Sequence, residues 1–534
     1  MKSGRRNIRL PFQLQGMTPI LWGFSILVVI AILLPITYLI IRVMGAGSDA
    51  WQGLLRPQMF ETIARTAWLA IAVTTVSAFI AVPIAWLTVR TDLPFRKMWA
   101  ILTPLPLVIP SYVGGYLFAS AFGPRGLLQQ LLETLFGVTR LPEIYGFPGA
   151  MLVLTLLSYP YILLSTRAAL SKLDPSLEEA SRSLGYGNWS TFWRVTLPLL
   201  RPALGAGSLL VALYVLRDFG VVAIMRYSTF TRAIYVSYTS FDRSQAALLS
   251  LVVVLVTLVF LFIETRTLSR TKYFQIGTGQ ARPPALIQLG YWRLPALLFC
   301  VTVVFASLIL PSGLLIYWLI RGLRAGEVIP SLGLIAWNSI SASAIGAIVI
   351  LLAAIPVVIL IVRRPNKATL LLHRITYSTF ALPGVVIALA LVFFGANHAP
   401  WLYQTFPMLL LAYGILFLPQ AMGAVRTTLL QISPNVEEAA RSLGRHPVQV
   451  FFSVTLPLLK SGLIAGASLV FLTIMKELPA TLILAPIGFK TLATSIWSAV
   501  SEAFFAQAAA PALLIVLMSS LPMAYFILNE KNVE

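Results

Sequence analysis

The chain of 534 residues is too apolar for a soluble protein: hydrophobic residues make up 58% and charged residues 11%, against about 45–50% and about 25% in soluble domains. Cys300 is the only cysteine, which excludes a disulfide scaffold. The chain has 39 Lys and Arg but only 18 Asp and Glu, a basic excess that would indicate a nucleic-acid partner in a soluble chain. A mean hydropathy of +0.87 instead favours an integral membrane protein that contacts lipid and has no nucleic-acid partner.

Twelve apolar runs are long enough to cross a bilayer as helices, which takes about 20 residues each. In chain order they are Ile20–Val43, Ala64–Val89, Trp99–Phe122, Ala150–Leu170, Ala203–Met225, Ala246–Ile263, Leu294–Ile320, Leu334–Val362, Ile375–Gly395, Leu402–Val425, Leu463–Leu484 and Ala508–Leu528. Continuous runs, rather than alternating ones, predict an all-α membrane protein and not a β-barrel. The first run is too long for a secretory signal and lacks its cleavage pattern, so it predicts an anchor.

The positive-inside rule gives the orientation. With the N-terminus in the cytoplasm and twelve crossings, 26 of the 39 Lys and Arg fall on the cytoplasmic side. The segments that contain them are the arm with Lys2, Arg5, Arg6 and Arg9, then Arg90–Lys97, Arg167–Arg201, Arg266–Arg293, Arg363–Arg374, Arg426–Lys460 and the tail with Lys531. Both termini are therefore predicted to be cytoplasmic.

The chain repeats itself. Residues 176–200 read SLEEASRSLGYGNWSTFWRVTLPLL and residues 435–459 read NVEEAARSLGRHPVQVFFSVTLPLL, an offset of 259. Upstream the offset becomes 273, which matches Arg90 with Arg363 and Pro110 with Pro383, so the first half carries about fourteen extra residues near Gly123–Pro148. Two halves of six spans have the same topology and form a parallel repeat.

The two matched stretches, called boxes here, each predict a short amphipathic helix, a glycine turn and re-entry into the bilayer. Asp174 and Ser433 are capping residues, each followed by a proline suited to the first helical position. The carboxylates that follow are Glu178, Glu179, Glu437 and Glu438, and the glycines that fit the helix ends are Gly185 and Gly444. Loops normally diverge faster than the elements they join. The match between these loops therefore indicates a function, the alternative being a solvated helix that was merely copied by duplication.

The boxes resemble the signature of permease subunits of bacterial ABC importers. That signature is Glu-Ala-Ala, three residues, Gly, nine residues, then Ile or Val, one residue and Leu-Pro. The first box matches it with Glu179, Ala180, Ser181, Gly185, Val195, Leu197 and Pro198, and the second with Glu438, Ala439, Ala440, Gly444, Val454, Leu456 and Pro457. Only Ser181 departs from it.

The resemblance implies the type I ABC importer permease fold and a multi-pass protein of the bacterial inner membrane. It implies permease domains at residues 61–266 and 334–529, an N-terminal arm and first helix at 1–60, and a linker with the seventh helix at 267–333. In that family the box is a coupling helix that docks on a cytoplasmic ATPase. Two ATPase subunits and an extracytoplasmic binding protein are the implied partners.

No phosphate-binding loop of the form Gly-x-x-x-x-Gly-Lys-Ser/Thr occurs in the chain. The chain is therefore expected to bind no cofactor and to hydrolyse no ATP, with ATP-Mg on the partner ATPase. The near-identical acidic boxes argue against the main alternative class, an ion-coupled secondary transporter.

The cargo is suggested by resemblance alone. The fused two-half architecture resembles permeases for ferric iron, thiamine and phosphonates, and the segments 217–220, 226–235, 475–482 and 488–494 are most similar to the ferric-iron group. Histidines without paired spacing give no sign of a metal site, so metal ligands remain unknown.

Arg217-Asp218 and Lys476-Glu477 occupy equivalent positions within the fifth and eleventh spans. Ionisable residues within spans are costly and face a partner or a pathway. One hypothesis is that Asp218 and Glu477 line the path of a hard trivalent cation. The other is that each acid pairs with a basic residue and holds the bundle together. The third span contains several prolines, among them Pro110. One hypothesis is that they kink the helix at a gate, and the other is that the kink only shapes the packing of the bundle.

Overall fold

The computed structural model describes residues 18–45, 47, 51–52, 56–240, 242–268, 286–327 and 331–530. These residues form helices and their connections, and the only β-pairing among them is an isolated parallel bridge between Thr91 and Ile287. The predicted all-α class is confirmed. The basic arm with Lys2, Arg5, Arg6 and Arg9, most of the linker and Lys531 lie outside the described residues.

The α-helices of the first half are Thr18–Met44, Pro57–Arg90, Arg96–Leu102, Ser111–Phe122, Leu127–Phe136, Phe147–Lys172, Pro175–Ser183, Asn188–Thr191, Leu197–Arg217, Gly220–Ile224, Phe230–Thr239 and Arg243–Leu268. Those of the second half are Arg293–Val304, Leu310–Arg324, Leu332–Arg363, Lys367–Ser378, Gly384–His398, Phe406–Gln431, Pro434–Ser442, Pro447–Val450, Leu456–Leu458, Lys460–Met475, Pro479–Leu484, Leu492–Ser501 and Phe505–Glu530. Short 3-10 helices lie at Leu105–Val108, Gly290–Trp292 and Thr379–Ala381, and π-helices lie at Phe192–Thr196, Phe305–Ile309 and Phe451–Thr455.

Every one of the twelve predicted positions holds a helix or a bent helix pair, but they are not twelve equal spans. Seven helices of the described residues are long and apolar enough to cross a membrane, and nine spans result if two bent pairs each count as one. Shorter apolar stretches, Arg243–Val259, Gly384–His398 and Phe505–Ser520, occupy the other three positions.

Four predicted spans are wrong as continuous helices. The third, Trp99–Phe122, bends by 94°, and the ninth, Ile375–Gly395, is interrupted before Gly384. Prolines cause both interruptions: Pro110 and Pro383 have extended backbones and disfavour the helical conformation of the residue before them. The fifth and eleventh predicted spans, Ala203–Met225 and Leu463–Leu484, end early, at Arg217 and Met475, and short helices begin at Gly220 and Pro479.

The first helix of each half makes contacts across the boundary between the halves. Thr18–Met44 packs in one core cluster with the second-half helices Leu332–Arg363 and Phe406–Gln431. Leu310–Arg324 packs in the other cluster, which is built mainly on first-half helices. Two polar contacts cross the same boundary. Asn397 Nδ2 donates to Tyr38 Oη at 3.2 Å, and Trp318 Nε1 donates to Ser120 Oγ at 3.2 Å. The first helix of each half therefore helps to join the two halves.

The described end of the linker is bound to the first half. The backbone N–H of Ile287 donates to the carbonyl of Arg90 at 2.9 Å, and Asp92 forms an ion pair with Arg293. Hydrogen bonds from Arg293 and from the backbone N–H of Leu289 hold the pKa of the Asp92 carboxyl below its usual range. The linker therefore reaches the membrane beside the end of the helix Pro57–Arg90.

Close helix packing in the first half predicts a contrast between two equivalent glycines. A Cβ at Gly207 would lie 2.8 Å from the Ile162 Cα, which is backbone, whereas a Cβ at Gly466 would first meet the end of the Leu351 side chain at 3.2 Å. We expect Gly207→Ala to destabilise the chain by about 1–3 kcal/mol through forced helix separation, and Gly466→Ala to cost less. Thermal unfolding of both variants in one detergent measures this, and equal melting shifts would contradict it.

Candidate functional site: two box helices and a mid-bundle cluster

The two boxes fold as predicted into short capped helices, Pro175–Ser183 and Pro434–Ser442, called the box helices below. The Asp174 carboxylate accepts the N–H of Ser176 at 2.9 Å, and Ser433 Oγ accepts the N–H of Asn435 at 3.4 Å. The bond from Ser176 lowers the pKa of Asp174. Gly185 and Gly444 follow the helices with φ of +90° and +83°, a conformation that favours glycine.

The first glutamate of each box helix points into the protein. Glu178 and Glu437 are buried. Glu178 accepts the hydroxyl of Thr196 at 2.9 Å, and Glu437 accepts that of Thr455 at 3.3 Å. Since these threonines lie just before the next long helix, each glutamate joins its box helix to the helix that follows it.

A buried arginine completes each joint. Arg90 Nε lies 3.8 Å from Glu178 Oε1, and Arg363 Nη2 lies 2.9 Å from Glu437 Oε1. These arginines are the last residues of the helices Pro57–Arg90 and Leu332–Arg363. Arg90 also donates to the carbonyls of Leu170 and Leu173, and Arg363 donates to that of Ile432, each at 3.1 Å.

Each arginine therefore joins three segments: its own long helix, the end of the helix before the box, and the box helix. Its role was not predicted, although the 273 offset had matched Arg90 with Arg363. Charged pairs that are buried and hydrogen-bonded resist separation, because removing one partner leaves an uncompensated charge. This holds most directly in the second half, where Arg363 and Glu437 are hydrogen-bonded at 2.9 Å. In the first half Arg90 Nε faces Glu178 at 3.8 Å without a hydrogen bond, so the attraction of the charges and the carbonyl contacts of Arg90 hold the segments together.

The outward sides of the box helices carry several exposed apolar residues beside polar ones. Glu179, Ala180, Gly185, Ala439 and Gly444 are exposed. The apolar side chains exposed on or just beyond these helices are Leu177, Leu184, Trp189 and Trp193 in the first half and Val436, Leu443, Val448 and Phe452 in the second. Glu438, the counterpart of Glu179, is half-buried. The predicted set thus divides into inward joints, Glu178 and Glu437, and an outward surface.

Ser181, the one residue that departs from the signature, is accompanied by a second difference between the two halves. Ser181 Oγ lies 3.0 Å from Thr191 Oγ1, and both side chains are buried. At the offset of 259 these positions correspond to Ala440 and Val450. One half therefore packs a hydrogen-bonded polar pair where the other packs an apolar pair, so Ser181 leaves no buried hydroxyl unpaired.

Each box leads into the membrane through a π-helix that ends before a Leu-Pro pair. The N–H of Leu197 donates to the carbonyl of Phe192, and that of Leu456 to the carbonyl of Phe451, five residues back in both cases. Pro198 and Pro457 follow directly. Because proline lacks an N–H and its ring crowds the carbonyl four residues earlier, the turn before it widens. The same arrangement precedes Pro311.

The four ionisable residues predicted within spans lie at helix ends in the middle of the bundle. Asp218 Oδ1 accepts the N–H of Val221 at 2.9 Å, and Glu477 Oε1 accepts that of Ala480 at 3.1 Å. Each carboxylate thus caps the short helix that follows the break. None of the ion pairs among the described residues joins these four side chains.

The two basic side chains extend to the opposite half. Arg217 Nη1 donates to the carbonyl of Phe380 at 3.4 Å, and Lys476 Nζ donates to the carbonyl of Leu107 at 2.8 Å. The pathway role of Asp218 and Glu477 stays a prediction. Each carboxylate binds a backbone N–H of its own half, while Asp218 also lies beside Ser111 and Glu477 lies near the Arg217 charge of the other half.

Comparison with known proteins gives the same repeat. The family described as binding-protein-dependent transport system inner membrane component matches twice, at residues 95–273 and 332–532. The Fe(3+)-transport system permease protein FbpB 2 of Haemophilus influenzae is 36% identical over 509 residues, 93% of this chain and 96% of that protein. The ferric transport system permease protein FbpB of Actinobacillus pleuropneumoniae is 24% identical, over 90% of this chain and 72% of its own length. The molybdenum transport system permease protein ModB of Escherichia coli is 37% identical over 26% of this chain and 58% of its own.

The buried pair in the second half predicts a non-additive double-mutant cycle. Glu437→Gln leaves the Arg363 guanidinium without its carboxylate, so we expect a loss of about 3–5 kcal/mol in the free energy of unfolding. Arg363→Met combined with Glu437→Gln leaves no unpaired charge and should cost less than the sum of the single changes.

Chemical unfolding in detergent measures all three variants. Glu179→Gln, an exposed position on the other box helix, is the control and should change stability by less than about 0.5 kcal/mol. Strict additivity of the two single changes would show that the pair is not coupled.

Proposed function

Because the chain belongs to the family of binding-protein-dependent transport system inner membrane components and joins two copies of that domain, we propose that it is a fused two-half permease of an ATP-driven importer of ferric iron. ATP would be hydrolysed by two separate cytoplasmic ATPase subunits, one beneath each box helix. A binding protein would deliver the iron to the opposite face.

One observation carries the coupling part of this proposal: both box helices are fixed to long helices by buried Arg–Glu contacts while their outer sides present apolar residues. An exposed apolar surface on a membrane-protein loop needs a protein partner to cover it. Two equivalent surfaces suit a partner with two-fold symmetry. Closure of an ATPase dimer would then move the helices Pro57–Arg90 and Leu332–Arg363 through Arg90 and Arg363.

The orientation follows from the same surfaces. Both box helices are joined to Arg90 and Arg363, and the boxes and these two arginines lie in four of the basic segments of the sequence, Arg90–Lys97, Arg167–Arg201, Arg363–Arg374 and Arg426–Lys460. We place this end in the cytoplasm of the inner membrane, with both termini on the same side, in agreement with the distribution of Lys and Arg.

The cargo assignment is supported by the relatives. The Haemophilus influenzae protein, named for Fe(3+) transport, is similar over nearly the whole of both chains, whereas the similarity to the molybdenum permease is confined to about a quarter of this chain. Ferric iron is therefore the first cargo to test.

Docking of the ATPase is tested at the tips of the box helices. Leu184 and Leu443 are 77% and 83% exposed, so a charge there would not disturb the fold but would be buried by a docked partner at a large desolvation cost. We expect Leu184→Asp with Leu443→Asp to weaken ATPase binding at least about tenfold, measured by co-purification and by titration in nanodiscs.

Ile487→Asp is the matched control, because Ile487 is 88% exposed and follows the short helix Pro479–Leu484, at the opposite end of the helix Lys460–Met475 from the second box. It should leave ATPase binding unchanged. Charge reversal by Glu179→Lys with Glu438→Lys tests the same surface independently. Normal docking and uptake in both double variants would overturn the coupling role.

The cargo is tested in proteoliposomes that contain the permease, its ATPase and its binding protein. Iron-loaded binding protein should stimulate ATP hydrolysis and drive iron-55 into the vesicles, whereas empty binding protein or protein offered molybdate, thiamine or a phosphonate should not. Uptake of iron without ATP, driven by an ion gradient, would support a secondary transporter instead. Stimulation by another solute alone would reassign the cargo.

A further inference from the structure

We propose that Arg217 and Lys476 are positioning residues for transport, which form a reciprocal latch that holds the passage between the two halves closed. This rests on the proposed function as an ATP-driven permease. The latch is the pair of hydrogen bonds from Arg217 to the Phe380 carbonyl and from Lys476 to the Leu107 carbonyl, at 3.4 and 2.8 Å.

The two bonds are equivalent under the internal repeat. Arg217 and Lys476 correspond at the offset of 259, and Leu107 and Phe380 correspond at the offset of 273. Each half thus supplies one donor and one acceptor, and each bond crosses from one half to the other. Such reciprocity is what a contact on the pseudo-two-fold axis between the halves requires.

Prolines make the two acceptors available. Leu107 and Phe380 lie in the 3-10 helices that interrupt the third and ninth predicted spans. Three residues after each of them the chain has Pro110 and Pro383, which have no N–H to donate back to these carbonyls. A carbonyl without a donor in the bilayer interior has to find another partner, and the basic side chain of the other half supplies it.

The carboxylates next to the bases are already bound elsewhere. Asp218 and Glu477 cap the short helices of their own half through the N–H groups of Val221 and Ala480. The residue that begins the helix beside each acid is matched to that acid in size. Ser111 lies beside the shorter Asp218. The equivalent Gly384 leaves room for the longer Glu477, because a Cβ at Gly384 would lie 2.6 Å from Glu477 Oε1. The hydrogen bonds of the acids thus stay within each half, and those of the bases cross to the other half. Glu477 also lies near enough to Arg217 for their charges to attract each other across the halves.

Two pairs of polar side chains lie next to the latch, and we infer from them where the passage between the halves runs. Three residues before each base are Tyr214 and Thr473, which face Tyr161 and Gln420 on the neighbouring helices: the two tyrosine rings lie 5.6 Å apart, and Thr473 Oγ1 donates to Gln420 Oε1 at 3.0 Å. The two pairs occupy equivalent positions at the offset of 259, and all four side chains are half-buried. Polar side chains inside a membrane bundle line cavities and paths in preference to lipid.

The latch biases the conformational equilibrium because its bonds exist only while the halves meet here. The Lys476 bond at 2.8 Å has the length of a strong charge-assisted hydrogen bond, and the Arg217 bond at 3.4 Å is longer and weaker. When the halves separate, both bonds are lost together, so the latch stabilises the closed state relative to any open one. The binding protein and ATP would have to supply the free energy that opens it.

Loss of the latch should uncouple ATP hydrolysis from the binding protein. We expect Arg217→Met and Lys476→Met each to raise ATP hydrolysis without binding protein by about threefold, and the double variant by about tenfold, because the open states become more populated. The methionines keep the aliphatic bulk but cannot donate. The measurement is ATP turnover by the full permease with its ATPase in proteoliposomes, with assembly checked by co-purification.

Two controls separate a latch from a general loss of stability. Arg217→Lys with Lys476→Arg keeps both donors and should retain most of the dependence on binding protein. Arg226→Met removes an exposed cation of the same half that stacks on Tyr145 within 5.4 Å, and it should leave basal hydrolysis unchanged. Should the double variant fail to assemble, the two single variants carry the test.

Unchanged basal hydrolysis in assembled Met variants, or an equal rise in Arg226→Met, would overturn the latch. This readout needs no cargo, so it stands even if the substrate is not ferric iron. Failure of the unmodified chain to bind any ATPase would instead refute the proposed function itself.

Discussion

A buried arginine bound to a glutamate at the end of each half's long helix is the contact on which the coupling surface depends. Arg90 has 1% of its side chain exposed and Arg363 has 7%, so each needs a counter-charge and carbonyl partners to be stable there. Those partners come from the helix before the box and from the box helix itself. The same contact that satisfies the arginine therefore gives the box helix a fixed position on the membrane domain, with its apolar side left free.

Differences between the halves come in matched pairs. Ser181 with Thr191 stands opposite Ala440 with Val450, and the longer Glu477 has a glycine neighbour where the shorter Asp218 has a serine. In each case hydrogen bonding or volume is restored by the second residue, as close packing demands. The larger difference, the extra residues of the first half, includes the helix Leu127–Phe136 and leaves the box and the mid-bundle cluster of that half in place.

Local signals predicted the boxes well. Asp174 and Ser433 cap as expected, and Gly185 and Gly444 take the left-handed conformation, because capping and positive φ depend on the residue and its immediate neighbours. Continuous spans were predicted at places where the structure has helix breaks. Apolar composition indicates a membrane span but does not show where its helical hydrogen bonds are interrupted. Pro110 and Pro383 were the visible signal for two of these breaks. No comparable proline explains the end of the helix Leu197–Arg217 at Asp218.

The sequence by itself determined the class, the repeat, the capped box helices and the family resemblance, because these depend on composition, spacing and side chains close together in the chain. Only the tertiary structure decided which of the matched residues meet. It placed Glu178 and Glu437 inward on arginines that lie 88 and 74 residues earlier in the chain. It also brought the first helix of each half into contact with the other half and turned Arg217 and Lys476 towards carbonyls of the opposite half. Such contacts satisfy buried charges and unpaired carbonyls between residues that lie far apart in the sequence. The repeat offsets show which positions of the two halves are equivalent, but not which residues touch.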